Sequence, residues 1–518
     1  MPRDYVFRYK LRPDGKDGLR GPSDFIRTQL EELLDIVVPM EGNREVKIDG
    51  FRFMNDDSVY QLFDGATPVS GNGTGPHIIY EPRIELIRRQ LEAILAMVEL
   101  EQNERPVRVN GFRLKDLKDW CVTSTPDPND IIDYLGARCN CDCVMCCNKG
   151  NPTEVALNII PRSQEQIYQE IRTRIRYFSP GKGTALFPCP PGVVYDVLAH
   201  PRSLETLRSL RRKSPLPFRL HTNGRALTGK VITELARLKP VYLYLSLNTC
   251  SPSRRKKLMI DSRPETAIGS LALLRDAGIP YAANIVPWPV DTAEEMLDDL
   301  ATTIDYADRH MAHLIEVNLP GYSAHFSRKE LFEFPGLWAS IVTRVREMRK
   351  RVASPVVIMP CMFEENRHEK RLGLSRVMGL VRNSPAALAG VRKGDVIVGI
   401  NGIAVRDRPQ TRVLLSAVAK SDVAQVDLRV KRGRAVLDIP THLQEYSYPY
   451  SKQIDGELGI VFLGTGLANY VEKLMEIARH RQARRVLFLS SYLVKPAFEQ
   501  QLSQAVKPDD VKIDIEVP

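Results

Sequence analysis

Residues 138–150 read R-C-N-C-D-C-V-M-C-C-N-K-G, and they place five of the chain's nine cysteines within nine positions. The surrounding sequence limits what such a loop can be for. The N-terminus, MPRDYVFRYKLRPDG, lacks the apolar core of a secretion signal. No run approaches the ~18 apolar residues of a membrane span. The chain therefore reads as cytoplasmic and without a membrane partner, in a compartment where thiols stay reduced. Crowded cysteines there more often hold metal than form disulfides. Cys139, Cys143 and Cys146 fall in the spacing C-x3-C-x2-C. Four cysteines are the usual ligand set of an iron–sulfur cube. Three leave one iron open, and an open position is what separates catalytic from structural metal sites. Zinc is the competing reading, through Cys141-x-Cys143 and Cys143-x2-Cys146, but the sequence has no second C-x2-C pair to complete a ribbon. Cys141 and Cys147 read as bystanders or reactive thiols. The isolated Cys121, Cys250 and Cys361 read as small buried hydrophobes.

Outward from the loop, residues 131–360 alternate short apolar runs with amphipathic ones. Strands are predicted near Ile132–Tyr134, Thr184–Phe187, Phe218–His221, Tyr242–Leu247, Tyr281–Val286 and Leu314–Asn318. Helix-like stretches such as SLETLRSLRR and AIGSLALLRDAG lie between them. This alternation predicts six or so parallel β/α units in an open or closed barrel, taken as a partial (β/α)6 barrel, in which chemistry gathers at the C-terminal ends of the strands. Residues 1–130 form a separate, duplicated α+β module. FIRTQLEELLDIVVPMEGNREVKIDGFRF (25–53) realigns without gaps on LIRRQLEAILAMVELEQNERPVRVNGFRL (86–114). Each copy joins an amphipathic helix to a hairpin turned on Asp-Gly or Asn-Gly.

The cysteine spacing resembles that of the radical S-adenosylmethionine (radical SAM) superfamily, and the resemblance continues downstream. Thr222-Asn223-Gly224 is similar to the T-N-G strand end of that family. Ser246-Leu247-Asn248 is similar to its S-L-D/N segment, and Gly278-Ile279-Pro280 leading to Asn284 is similar to its fifth strand. The resemblance implies a [4Fe-4S] cluster on Cys139, Cys143 and Cys146 and S-adenosyl-L-methionine (SAM) on its open iron. It also implies reductive cleavage to a 5′-deoxyadenosyl radical, with a flavodoxin- or ferredoxin-type electron donor. Thr222, Asn223, Ser246, Asn248 and Asn284 become the SAM-pocket candidates. Met145 stands where the family usually has an aromatic residue against adenine. Phe187-Pro188-Cys189-Pro190-Pro191-Gly192 stands where it has G-G-E-P, so Pro190 would offer a carbonyl but no side-chain acid. Only Cys361 lies beyond residue 250, which predicts a single cluster.

Residues 365–445 resemble a PDZ domain through L-G-L-S (372–375) and V-R-N-S-P-A-A-L-A-G-V-R-K-G-D-V-I-V-G-I-N-G. Gly390 and Gly394 mark turns, and Asn401-Gly402 marks a hairpin. The resemblance implies a peptide groove along Leu372, Gly373, Leu374 and Ser375 that docks a peptide or protein C-terminus; packing against the barrel as a lid is the other reading. Residues 446–518 read as a small α/β unit with a G-T-G turn, and the uncapped ending K-I-D-I-E-V-P predicts a truncated chain. The net charge of +10 includes Arg254-Arg255-Lys256-Lys257, read as a solvated face, and no nucleic-acid motif accompanies it. Glu316 reads either as an acid, base or ligand in the site or as a strand-end residue. Trp288 reads as a loop anchor or lid, and His221 and His313 as core histidines. A radical SAM enzyme acting on an unknown substrate is the leading expectation. An iron–sulfur sensor or adaptor without radical chemistry is the alternative.

Overall fold

The structure, a computed structural model, describes residues 127–146, 163–178, 195–320, 335–359, 361–369, 373–419, 423–444 and 458–463, with isolated residues and short segments elsewhere. Several expectations lie outside the described residues: the first copy of the N-terminal repeat, the Thr184–Phe187 strand, Pro190, Cys121, Cys147, Cys189, Leu372 and the G-T-G turn. In the second copy of the repeat the hairpin is present, with Arg108–Val109 paired antiparallel to Phe112–Arg113.

Where a first strand was expected at Ile132–Tyr134, the chain is helical: α1 (Pro128–Ile132) runs into a 3-10 turn over Asp133–Ala137. The start signal is local. The Asp127 side chain accepts the Asn129 N–H at 2.9 Å, and Pro128 occupies the first helical position, where its missing N–H is harmless. That cap outweighs a short apolar run that is as compatible with a strand as with a helix.

Five parallel strands follow: β1 (Phe218–Thr222), β2 (Val241–Ser246), β3 (Tyr281–Ile285), β4 (Leu314–Asn318) and β5 (Val356–Met359). They lie side by side in the order β5-β4-β3-β2-β1. β5 went unforeseen, because Val-Val-Ile-Met between two prolines is too short to show a period. The connections are α2 (Gln164–Tyr177) and α3 (Ser203–Arg211) before the sheet, then α4 (Gly229–Arg237), α5 (Pro252–Met259), α6 (Pro264–Asp276), α7 (Ala293–Arg309) and α8 (Pro335–Arg351) between strands. Alternation splits each strand. Val241, Leu243 and Leu245 join the core shared with the helices, as do Ala283 and Ile315. Tyr242, Ala282, Leu314 and Val357 face the other way, into a second cluster.

That second cluster is completed from further along the chain, by Val381 and Val461 with Met378 beside them. After β5, α9 (Cys361–His368) leads into β6 (Gly379–Leu380), α10 (Pro385–Leu388), β7 (Val396–Ile400), β8 (Ile403–Ala404), α11 (Arg408–Ala419), β9 (Gln425–Arg432) and β10 (Ala435–His442). Asn401 and Gly402, at φ 48° and 78°, turn β7 into β8, as the dipeptide predicts. The strand expected to open the C-terminal unit, β11 (Ile460–Val461), pairs instead with β6, and Leu458, Ile460 and Phe462 enter the core of this module. A parallel sheet has to be covered on both faces. Here helices cover one face, and this module covers the N-terminal half of the other, as a floor. Arg382 fixes it to Asp308 on α7 at 2.6 Å, and Lys393 donates to the Arg349 carbonyl on α8.

Gly379 marks the closest approach. A Cβ there would meet Cβ of Pro355 at 2.8 Å and its Cα at 3.0 Å, neither of which can swing aside. Gly379→Ala is expected to destabilise the fold by about 1–3 kcal/mol, read as a lowered midpoint in chemical denaturation.

Candidate active site

The cysteine loop is held by a helix end. The last carbonyls of a helix lack intrahelical partners. On α5 two of them are taken by the loop: Leu258 accepts the Val144 N–H at 2.9 Å and Met259 accepts the Asp142 N–H at 3.1 Å. Within the loop, Cys146 N–H donates to the Cys143 carbonyl at 3.2 Å, and Cys141 N–H points at the Cys139 sulfur at 3.4 Å. From the other side Asn223, at the end of β1, donates its Nδ2 to Asn140 Oδ1 at 2.6 Å and toward Cys139 Sγ at 3.6 Å. Arg225 adds a bond to the Asn140 carbonyl. The loop thus sits on the C-terminal ends of the parallel strands.

Arg255 joins those ends. It is fully buried, beside the equally buried Asp261, whose Oδ2 accepts its Nε at 2.9 Å. Its remaining nitrogens donate to the carbonyls of Ser246 (3.1 Å), Leu247 (2.5 Å) and Asn223. One guanidinium therefore fixes the ends of β1 and β2 together. The basic run containing it was read as a solvated face, yet Arg254 and Arg255 are both buried. The signal in the sequence is the three- and four-residue spacing of Arg255, Leu258 and Met259, which puts them on one helical face.

Cys143 feels Cys141, Cys139 and Cys146 electrostatically, so the four thiols share one neighbourhood. Burial and then these neighbours push the Cys143 thiol up, while Arg255 pulls it down. Cys141, 8% exposed, is pushed up to about 12 by burial first and Asp261 and Cys139 next. Among the described residues no three His, Cys, Asp or Glu side chains are grouped to hold a single metal ion. A cube, by contrast, takes each thiolate on a different iron, so its ligands need not converge on one point. Beneath the T-N-G turn lies a carboxylate the motifs did not reveal. Asp196 accepts Asn223 N–H at 3.1 Å and Leu198 N–H at 2.9 Å; burial raises its pKa, and these bonds with the Thr222 hydroxyl counter the rise.

The SAM-pocket candidates fall into two groups. Thr222 turns inward, its hydroxyl on Asp196 and Gly224 N–H. Asn248, at φ 59°, is likewise engaged within the fold, its Oδ1 accepting Val286 N–H at 3.0 Å and its Nδ2 reaching Met259 Sδ at 3.3 Å. Ser246 and Asn284, by contrast, stand in register on the inner face, with Glu316 next in the row. Asn284 Oδ1 is buried with no partner. Short links tie this row to the cysteine loop: Asn284 O accepts Asn248 N–H, and Asn248 and Asp142 both bond to Met259. Met145 is buried in the barrel core. Trp288 is buried and its carbonyl accepts from Arg254 at 2.9 Å, the position of a loop anchor. His221 stacks on Tyr244 at 4.8 Å, and burial followed by Arg382 lowers His313 to about 4. Cys250 is half-buried against Thr303, and Cys361 is buried.

A thiol-rich loop thus sits on the C-terminal ends of a five-stranded parallel sheet. Residues 134–302 match the model of the Radical SAM superfamily, and residues 376–429 match that of the PDZ domain. The chain carries a radical SAM domain followed by a PDZ domain. Among solved structures, Streptococcus suis SuiB bound to S-adenosylmethionine is 13% identical, with 43% of this chain and 49% of that chain covered at a TM-score of 0.30. SuiB bound to the precursor peptide SuiA is 14% identical, with 43% and 47% covered at 0.30. The match spans about half the length of these structures, and at that similarity it transfers no residue roles. Comparison with curated proteins gave no match.

Arg255→Met keeps the packing volume and takes from Asp261 its closest cation, leaving Arg225 at 3.9 Å and the Arg263 N–H at 2.9 Å. The expected loss is about 3–5 kcal/mol in chemical denaturation. Adding Asp261→Asn should recover part of it, as a double-mutant cycle would show.

Proposed function

We propose that this chain is a radical SAM enzyme whose cluster is held by Cys139, Cys143 and Cys146. The observation that carries the reading is the three-thiol loop pinned, through Asn223 and α5, to the C-terminal ends of the parallel strands. Two features support the fit of a [4Fe-4S] cluster with SAM. The loop offers three thiols in the family spacing beside a fourth, the buried Cys141. The inner face offers Asn284 Oδ1, a buried acceptor with no donor. Leaving such a group unsatisfied costs about 1–3 kcal/mol, which a ligand hydroxyl or ammonium would remove.

Bound there, the cluster and SAM would supply one-electron cleavage of the sulfonium bond to a 5′-deoxyadenosyl radical. The chain's own residues do the rest. Arg255 and Asn223 hold the loop and strand ends in one geometry. Ser246 and Asn284 present polar groups to a bound nucleotide, and Glu316 stands next in the row, where a substrate group would come. Met145, between Cys143 and Cys146, is buried in the barrel core, so its thioether would meet an adenine ring only from the core side. A flavodoxin- or ferredoxin-type protein would deliver the electron. The chain is read as four parts: an N-terminal module to residue 130, the barrel to 360, the PDZ domain from 365 to 445 with residues 458–463 added, and a C-terminal unit. A peptide or protein substrate is the reading that the PDZ domain favours. No helix among the described residues is long and apolar enough to cross a membrane, and the thiol loop suits a reducing compartment such as the cytoplasm.

Anaerobically reconstituted protein given dithionite and SAM should release 5′-deoxyadenosine, and Cys143→Ala should release none above background. A fully loaded cluster that releases none would make the protein a sensor or adaptor instead. Asn284→Ala should keep the cluster's absorbance and weaken SAM binding about five- to tenfold, measured by equilibrium dialysis.

A further inference from the structure

PDZ domains recognise ligands with two devices: a glycine loop whose N–H groups hold a carboxylate, and a strand edge to which a peptide adds. In this chain both are engaged from within. Gly373, at φ 70°, donates its N–H to Oε1 of Glu365 at 2.7 Å. Glu365 lies on α9, the helix joining the barrel to the PDZ domain, and is 4% exposed. Arg408, 2% exposed at the start of α11, grips the same carboxylate at 3.1 and 3.0 Å. Arg408 also closes the loop on itself: its N–H donates to the Gly373 carbonyl at 2.6 Å and its guanidinium to the Leu374 carbonyl at 3.3 Å. Next along, the Ser375 and Thr411 hydroxyls meet at 2.6 Å, both buried, joining the segment before β6 to α11.

The strand edges are engaged as well. Val377 N–H donates to the Asp395 carbonyl, and the Ser375 carbonyl accepts Ile397 N–H. On the opposite edge Met378 N–H donates to the Val461 carbonyl and Val381 N–H to the Gly459 carbonyl. A peptide adding to this segment would have to displace one of these partners.

We propose that the glycine loop is a carboxylate site whose resident ligand is Glu365, and that the PDZ domain works as a clamp on the barrel. The neighbouring residue completes the device. Glu364 is buried and bonded to Arg349 (2.8 Å) and Arg346 (3.2 Å), both on α8 of the barrel. Two consecutive acids on one short helix thus grip two domains, Glu364 the barrel and Glu365 the PDZ module. A chain-terminal carboxylate is the ligand class that competes for the loop, and it gains the site only where Glu365 gives it up. This holds whether or not the barrel performs radical chemistry.

Hydrogen exchange on the full chain, followed by mass spectrometry, tests the proposal. In Glu365→Gln, amide exchange over residues 371–376 should rise at least about tenfold, while strands 425–432 and 435–442 stay as in the wild type. In Glu365→Ala, acetate should restore protection over 371–376 by filling the vacated site, and acetamide should not. Should Glu365→Gln fail to fold, the yield of folded Glu365→Ala refolded in acetate against acetamide decides. A folded Glu365→Gln chain with unchanged exchange at 371–376, or acetate acting no better than acetamide, would overturn the assignment.

Discussion

The site depends on one buried charge. A parallel sheet ends each strand with a carbonyl that has no neighbour to bond. Arg255 gathers three carbonyls at the ends of β1 and β2, those of Asn223, Ser246 and Leu247, and is neutralised by the equally buried Asp261. A guanidinium suits this because its donors lie in a rigid planar fork, which a lysine ammonium lacks. The same helix that presents Arg255 presents, three and four residues on, the carbonyls that carry the cysteine loop. Strand ends, loop and helix are therefore tied into one unit, and the loop inherits its position from that ion pair.

The PDZ domain solves a different problem. A half-barrel exposes the inner face of its sheet, and here the N-terminal half of that face is apolar while the C-terminal half is polar. Val381 and Val461 cover the apolar half and leave Ser246, Asn284 and Glu316 above it. Closing the floor with a second domain explains why that domain is bound so firmly, by a hydrophobic layer, by Arg382 to Asp308, and by paired acids on α9. It also makes a module of the peptide-binding type into the floor under the inner face of the sheet.

Much of this was legible in the sequence. The strands at 218–222, 241–246, 281–285 and 314–318 lie within two residues of the expected runs, since buried parallel strands read as unbroken apolar stretches between helical periods. Asn401-Gly402 and the cysteine spacing were equally plain, because each is a local geometric demand. What stayed hidden was set by distant partners or weak local contrast. Ile132–Tyr134 was drawn into a helix by a cap five residues upstream. Val356–Met359 was too short to declare a period. Arg255 reads as surface charge until Asp261 and three carbonyls surround it, and nothing local in the sequence singles out Glu365 as the partner of Gly373 and Arg408.

The way the cysteine loop completes α5 has a further consequence. Lifting the loop off the barrel would bare the Leu258 and Met259 carbonyls together and unravel the last turn of the helix. The fraying would reach residues 256–260, a stretch that contains Lys256 and Lys257. Protease susceptibility at that turn would report on how firmly the cysteine loop is seated.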